Sequence, residues 1–174
     1  AVVHGIIKNH AGAIAVDSEP GKGAIFTILL PVVTEKPVME VKTLDEIPHG
    51  NETILLVDDE ERIVNMTQKI LERLGYTVET KINPIEALEL FQLKPAKFDL
   101  VITDMTMPQM TGVNLAEKLM EIRKDIPVIV CTGHSSLINE EKAKELGIAA
   151  YVMKPIVKQD IAKTIRKVLD NQES

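Results

Sequence analysis

From Glu52 onward the chain alternates short, unbroken apolar runs with stretches of helical spacing, five times over, and nothing else in it constrains the fold as strongly. Residues 53–57, 100–103, 127–131 and 149–153 are apolar runs of strand length, and 76–80 alternates as a more exposed strand would. Between them, 60–74, 84–93, 112–123, 136–146 and 158–169 carry helical spacing. In the first of these Ile63, Met66, Ile70, Leu71 and Leu74 are expected on one side. Gly75 and Gly147 stand where helices stop. Asn83-Pro84 has the order of a helix start, cap then proline. Unbroken apolar strands separated by helices predict an α/β fold, a five-stranded parallel sheet covered on both faces. Right-handed crossovers narrow the topology to a doubly wound one. In such sheets ligands bind beyond the carboxyl ends of the strands, where strand order reverses.

The residues at those ends are chemically pointed. The first strand runs into Asp58 and Asp59, the third into Asp104, the fourth into Thr132 and the fifth into Lys154, while the second, placed at the edge, ends in nothing notable. Each feature alone has a plainer reading as a helix cap, turn residue or solvated charge. Their coincidence on one rim is what points to chemistry. Converging carboxylates repel unless a cation intervenes, and Mg2+ suits carboxylate and phosphoryl oxygens with water. Lys154 brings a mobile positive charge, Thr132 a hydroxyl donor, and a carboxylate can hold a phosphoryl group covalently. The rim therefore reads as an aspartyl-phosphate site. His4, His10, His49 and His134 are scattered without metal spacing.

The remaining sequence sets bounds. In 174 residues, 45% are hydrophobic and 26% charged, a globular composition with room for one full domain and a smaller remainder. Aromatics make up only 3%, so the core must be aliphatic, and Cys131, the single cysteine, has no internal partner. A net charge of −6 does not favour phosphate-backbone binding to nucleic acid. No apolar run approaches the ~20 residues of a membrane helix. Residues 1–33 read as a helix followed by a hairpin, with strands at 12–16 and 24–30. Residues 34–51, broken by Pro37, Pro48 and Gly50, read as a linker, and 52–172 as the main domain.

Residues 52–172 resemble the receiver domain of two-component signalling proteins. The likeness rests on Leu55-Leu56-Val57-Asp58-Asp59-Glu60, on the loop from Asp104 to Gly112, and on Thr132, Tyr151 and Lys154-Pro155. It implies a flavodoxin-like strand order, 2-1-3-4-5, and phosphoryl uptake by Asp104 from a partner's phosphohistidine or a small phosphodonor. It also implies Mg2+ held by Asp58, Asp59, Asp104 and the backbone carbonyl of Thr106. Thr132 and Lys154 would act on the phosphoryl oxygens, Tyr151 would turn inward with Thr132 as the switch, and the Lys154–Pro155 bond is often cis in the family. Thr106 and His134 are expected to tune the lifetime of the phosphorylated state.

Residues 1–33, with Val2-Val3-His4-Gly5-Ile6-Ile7, Gly12, Ser18 to Gly23 and Phe26 to Pro31, resemble the end of a histidine kinase ATP-binding domain. The ATP-holding elements would precede Ala1, so this segment is not expected to act as a kinase, and its helix and hairpin are expected to be poorly ordered or docked on a neighbour. Together the two likenesses resemble the C-terminal part of a hybrid sensor histidine kinase, in the cytoplasm. Its expected partners are the kinase's phosphohistidine domain and a histidine-phosphotransfer protein, with no direct nucleic-acid or membrane contact; homodimer formation stays open. The competing reading is an aspartate-nucleophile phosphatase of the haloacid dehalogenase type, which places its second aspartate two positions after the first. Here Asp58 and Asp59 are adjacent and position 60 is Glu. A flavin module would need a phosphate-cradling loop, where Asp58-Asp59-Glu60 would repel phosphate.

Overall fold

The computed structural model describes residues 2–32, 47–133 and 147–170. Contacts divide the chain into two units, Ala1–Leu44 and Asp45–Ser174. The first holds helix α1 (Val2–Asn9) and an antiparallel hairpin, β1 (Ala13–Glu19) with β2 (Gly23–Leu29), in the register Ala13↔Leu29 to Glu19↔Gly23. Its apolar side chains are mostly exposed: Ile25, Phe26, Leu29 and Val32 all face outward, and among its described residues only Ile7 is buried. A lone hairpin and one short helix have too little surface to enclose a core.

The second unit contains β3 (Thr53–Val57), α2 (Glu61–Glu72), β4 (Thr77–Lys81), α3 (Pro84–Leu93), β5 (Leu100–Asp104), α4 (Gly112–Ile122), β6 (Val128–Thr132), β7 (Ala150–Met153) and α5 (Lys158–Asp170). A 3-10 turn, Pro95–Lys97, precedes β5. The sheet order is β4-β3-β5-β6-β7, every pair parallel. Counted within this unit, that is the expected 2-1-3-4-5. The helix expected at 136–146 lies outside the described residues.

Side chains alternate across the sheet, as the two-residue period of a strand dictates. Ile54, Leu56, Leu100, Ile102 and Ile129 pack with Leu71 and Leu74 near the end of α2 and with Ile161 and Ile165 of α5. Leu55, Val57, Val101, Val128 and Val130 pack with Phe91 of α3 and Leu115 and Leu119 of α4. Burial on both faces explains why β3, β5 and β6 read as unbroken apolar runs. Each fully buried aliphatic side chain contributes about 1.5–3 kcal/mol. Phe91 and Phe98 stack with ring centroids 6.0 Å apart.

Helix ends follow local chemistry. The Asn83 side chain accepts from the Ile85 N–H at 2.8 Å, with Pro84 in the first turn of α3. Thr111 caps α4 by accepting from the Asn114 N–H at 3.2 Å. The buried face of α2 differs from expectation: Val64, Thr67 and Leu71 are buried, Ile63 and Ile70 only partly, and Met66 is 47% exposed. The stripe of positions 64, 67, 71 and 74 has helical spacing too. Counting only apolar residues passed over Thr67 and turned the face toward Met66.

Residues 47–51, read from sequence as the end of the linker, form a strap on the second unit. Ile47 packs against the core, the Gly50 N–H donates to the Leu74 carbonyl at 3.0 Å, and Glu52 pairs with Arg166. Gly75, with φ +97°, lies where a Cβ would sit 2.3 Å from the Gly50 carbonyl oxygen. Gly75→Ala therefore meets both strained backbone and a steric clash. It is expected to lower unfolding free energy by about 2–3 kcal/mol in urea titrations; an unchanged midpoint would contradict the strap. Cys131 is 2% exposed, and burial pushes its thiol up to about 12. A disulfide reagent at pH 8 is expected to leave the native thiol untouched and to titrate it fully in urea.

Candidate phosphoryl-acceptor site

The carboxyl-end rim of the sheet is pinned by ladder hydrogen bonds that run just past the strands. The Asp58 N–H donates to the Lys81 carbonyl at 3.2 Å, the Met105 N–H to the Cys131 carbonyl at 2.8 Å, and the Lys154 N–H to the Thr132 carbonyl at 2.8 Å. Backbone bonds of this kind fix where each functional side chain begins. Asp58, Asp104 and Lys154 then converge. Lys154 Nζ lies 2.7 Å from Asp58 Oδ2 and 2.7 Å from Asp104 Oδ1, so one ammonium bridges both carboxylates.

The other oxygen of each carboxylate is held by backbone. Asp58 Oδ1 accepts from the Glu60 N–H at 3.0 Å, and Asp104 Oδ2 from the Thr106 N–H at 2.9 Å. Asp58 is 3% exposed and Asp104 7%. Buried charge of this kind persists only when paired and hydrogen-bonded. Burial by itself would lower the Lys154 pKa; the hydrogen bonds it donates to Asp104 and Asp58, and their charges, outweigh it and hold the ammonium above the ordinary lysine range. The Lys154–Pro155 peptide is cis.

Two further features close the pocket's wall. Gly112, at the start of α4, lies so close to β5 that a Cβ there would meet the Asp104 carbonyl oxygen at 2.0 Å. Gln109 turns the intervening loop with φ +70°, a conformation uncommon outside glycine. Neither role was read from sequence beyond the family-like loop; a glycine directly after a Thr cap was the available signal.

The other expected residues fall as follows. Asp59 is exposed and lines an open cleft of about 200 Å3 with Ile82, Pro84, Pro108 and Gln109. Among the described residues no three acidic, thiol or imidazole groups close around a metal position. Asp58, Asp104 and Lys154 are thus in direct contact, while the exposed Asp59 lines the cleft with Pro108 and Gln109. Asp58 follows directly on β3 and is buried, whereas Asp59 stands in a bend and is exposed. Thr132 ends β6, beside β5, where Asp104 pairs with Cys131; its hydroxyl donates to the Gly133 carbonyl at 3.0 Å. Tyr151, paired with Val130 in β7, packs partly buried against the α3/α4 side of the core. Its phenol oxygen is buried without a hydrogen-bond partner among the described residues, and burial raises its pKa. Thr106 is exposed beside Asp104. His134 lies outside the described residues.

A second cleft, of about 270 Å3, opens between Glu52, Asp99, Arg123, Asp125, Arg166 and Asp170. Asp99 and Glu52 flank the amino ends of β5 and β3, so this cleft is at the opposite rim from Asp104. Among the described residues, no helix is long and apolar enough to cross a membrane.

Comparison with known proteins agrees with this geometry. Over 69% of its length the chain superposes on all of the chemotaxis protein CheY4 of Vibrio cholerae, with a TM-score of 0.62 and 31% identity. A response regulator receiver domain protein of Clostridium thermocellum gives a TM-score of 0.67 at 32% identity, covering 70% of this chain and 97% of that one. Nearly the whole chain, 99%, aligns with 22% of the aerobic respiration control sensor protein ArcB of Escherichia coli at 33% identity. The same share aligns with 19% of the sensor kinase CckA of Brucella abortus at 31% identity. The chain thus spans about a fifth of the length of these curated relatives. Residues 54–166, well over half the chain, match the model of the response regulator receiver domain, and with the five-stranded parallel sheet and its acidic rim this places the chain in the receiver domain family of two-component signalling proteins.

Proposed function

We propose that this chain carries the phosphoacceptor module of a hybrid sensor histidine kinase, with Asp104 as the residue that is phosphorylated. The observation that carries the reading is the buried Asp104 carboxylate, fixed by the Thr106 N–H and bridged through Lys154 to Asp58. An Asp104 oxygen attacks the phosphorus of a partner's phosphohistidine, the P–N bond breaks, and the imidazole leaves with the electron pair and takes up a proton. Lys154 offsets charge on the transferred group, and the Thr132 hydroxyl donates to one of its oxygens.

Mg2+ fits the donor set. It is ordinarily held by one or two carboxylates, with water and phosphoryl oxygens completing the shell, so a three-carboxylate cage is not required. Asp58 and Asp104 supply that pair, Asp59 stands nearby in exposed position, and the Thr106 carbonyl supplies a neutral oxygen. When bound, the ion would offset negative charge on the transferring phosphoryl group.

Phosphorylation adds about −1.5 to −2 of charge at the rim. In this reading Thr132 moves toward it, and Tyr151, whose buried hydroxyl has no partner among the described residues, follows. Exposed Met153 and Val157 flank the Lys154-Pro155 pair, and Ile82 and Ile85 are exposed beside the Asp59 cleft. Apolar side chains around an acidic site suit a protein partner bearing the phosphohistidine, either the kinase's own domain or a histidine-phosphotransfer protein. In the same reading residues 1–33 are the end of the kinase ATP-binding domain, 34–51 its linker and 52–172 the receiver, within a cytoplasmic portion of the parent. No observation favours the phosphatase alternative: its paired aspartates would stand two apart at one strand end, whereas the bridged pair here comes from β3 and β5.

Asp104→Asn is expected to abolish phosphoryl uptake from a phosphorylated histidine kinase while leaving the thermal midpoint within a few degrees. Label retained at another residue would overturn the assignment. Exchange of Thr106 for a larger polar side chain is expected to change the decay rate of the phosphorylated form severalfold, by altering access of the attacking water. Identical decay in parent and variant would remove that role from Thr106, and the same measurement decides for His134.

A further inference from the structure

We infer that residues 47–52 are a releasable clasp on the second unit, and that Arg166 works it by exchanging partners: Glu52 of the strap when the clasp is closed, Asp170 of its own helix when it is open. Opening lengthens the chain that joins the two units. The inference goes beyond the phosphoacceptor reading and stands without it.

The strap meets three elements at the amino-end rim of the sheet. The Gly50 N–H donates to the Leu74 carbonyl just past α2, the Thr77 N–H that opens β4 donates to the Glu52 carbonyl at 3.0 Å, and Glu52 pairs with Arg166 of α5. Gly50 also lies flat on Tyr76, where a Cβ would meet the ring at 2.3 Å. Few apolar contacts back these ties. Ile47 and Pro48 are only partly buried, and His49 and Asn51 are exposed, whereas β3 and β5 are covered on both faces. Segments with little buried apolar surface open at lower free energy than the core they lie on. The strap therefore opens as a piece while the sheet stays closed.

Arg166 supplies the second state. One terminal nitrogen of its guanidinium pairs with Glu52, and its Nε lies 3.6 Å from Asp170 Oδ1, one turn further along the same helix. That distance is beyond hydrogen-bonding reach, and the Nε–H is buried with no hydrogen-bond partner among the described residues. A buried donor left unmet is uncommon and calls for an explanation. Here its acceptor is already in place, a small side-chain rotation away. Parting a half-buried ion pair is costly when one charge is left without a replacement; Asp170 is the replacement. The Tyr76 ring, 6.0 Å from the guanidinium carbon, gives the arginine a fixed floor.

The pair is also within reach of solvent ions. Glu52, Arg166 and Asp170 all line the 270 Å3 cleft of this rim, and the Glu52 and Arg166 side chains are 24% and 19% exposed. Salt entering the cleft weakens their attraction. Release of residues 47–52 adds about six residues, roughly 20 Å at full extension, to the chain between the units. For the acceptor module proposed above, that length sets how far its rim can travel toward a donor.

The test follows amide hydrogen exchange in the full 174-residue chain at neutral pH, with the Gly50 N–H reporting on the clasp and the amides of β5 on the sheet. In the parent, Gly50 is expected to exchange well before β5, and faster still as sodium chloride rises from about 0.05 to about 0.5 M. Arg166→Met, which keeps the stem and loses the charge, is expected to speed Gly50 exchange roughly fivefold and to abolish its salt response. Asp170→Asn, which removes the alternative partner, is expected to slow Gly50 exchange severalfold. Exchange of Gly50 in step with β5 in the parent overturns the inference, because the strap then opens only with the whole unit. Unchanged or faster exchange in Asp170→Asn overturns it too, because Asp170 then does not draw Arg166 away from Glu52. If Arg166→Met does not fold, the parent decides alone: a Gly50 rate indifferent to salt overturns the clasp. Phosphoryl uptake enters none of these readouts, so the clasp and the acceptor reading fail separately.

Discussion

Asp58 and Asp104 sit on neighbouring strands at the same end of the sheet, nearly out of contact with water, and one lysine stands between them. Two buried carboxylates side by side repel one another unless positive charge or hydrogen-bond donors compensate them. Here an ammonium and two backbone N–H groups supply the compensation. Every other feature of the rim serves that arrangement. Parallel pairing of β3 with β5 brings the two acids side by side, and pairing of β6 with β7 carries Lys154 to the same edge. The absence of a side chain at Gly112 lets α4 begin against the Asp104 carbonyl. A buried ionic triad of this sort is weak evidence for stability, because desolvation consumes most of the Coulomb gain.

The sheet was legible in the sequence because both its faces are covered. Strands buried on two sides show as unbroken aliphatic runs, and β3, β5 and β6 stand out for that reason. The edge strand β4 has no fully buried residue, and its sequence is correspondingly mixed rather than an unbroken apolar run. Helix faces were less legible. In α2 the buried stripe passes through Thr67, whose hydroxyl is buried without a partner, while Met66 points to solvent. Apolarity alone could not find that face, since sheet contact selects for fit as well as for hydrophobicity.

The site was legible as a set of residues and less so as a geometry. Strand ends identified Asp58, Asp59, Asp104, Thr132 and Lys154, since topology alone brings strand ends together. Which of two adjacent acids turns inward depends on the strand's pleat at its last residue, and a one-residue slip exchanges them. Asp58 continues the strand's hydrogen bonding to Lys81, and its side chain is buried; Asp59 comes after that bond and is exposed. Likewise, charge pattern suggested that Lys154 would meet Asp104, but not that it would span to Asp58, because nothing local in a sequence records the distance between the ends of β3 and β7.

The two units illustrate opposite outcomes of the same rule. The second unit has helices on both faces of its sheet and buries nearly every large aliphatic side chain of β3, β5 and β6. In the first, a two-stranded sheet and one helix leave Ile25, Phe26, Leu29 and Val32 exposed. Isolated hairpins of that size are marginal in water, and contiguous apolar surface of this kind is ordinarily covered by more protein. The hairpin is hydrogen-bonded along its length in full register, so what it lacks is a covering layer rather than pairing. In the second unit the strap at residues 47–52 ties the chain to the end of α2, to β4 and to α5. That tie lies at the amino ends of the strands, and Asp104 lies at their carboxyl ends. Residues 47–52 thereby leave the Asp104 rim clear, which suits the proposed meeting with a phosphoryl donor.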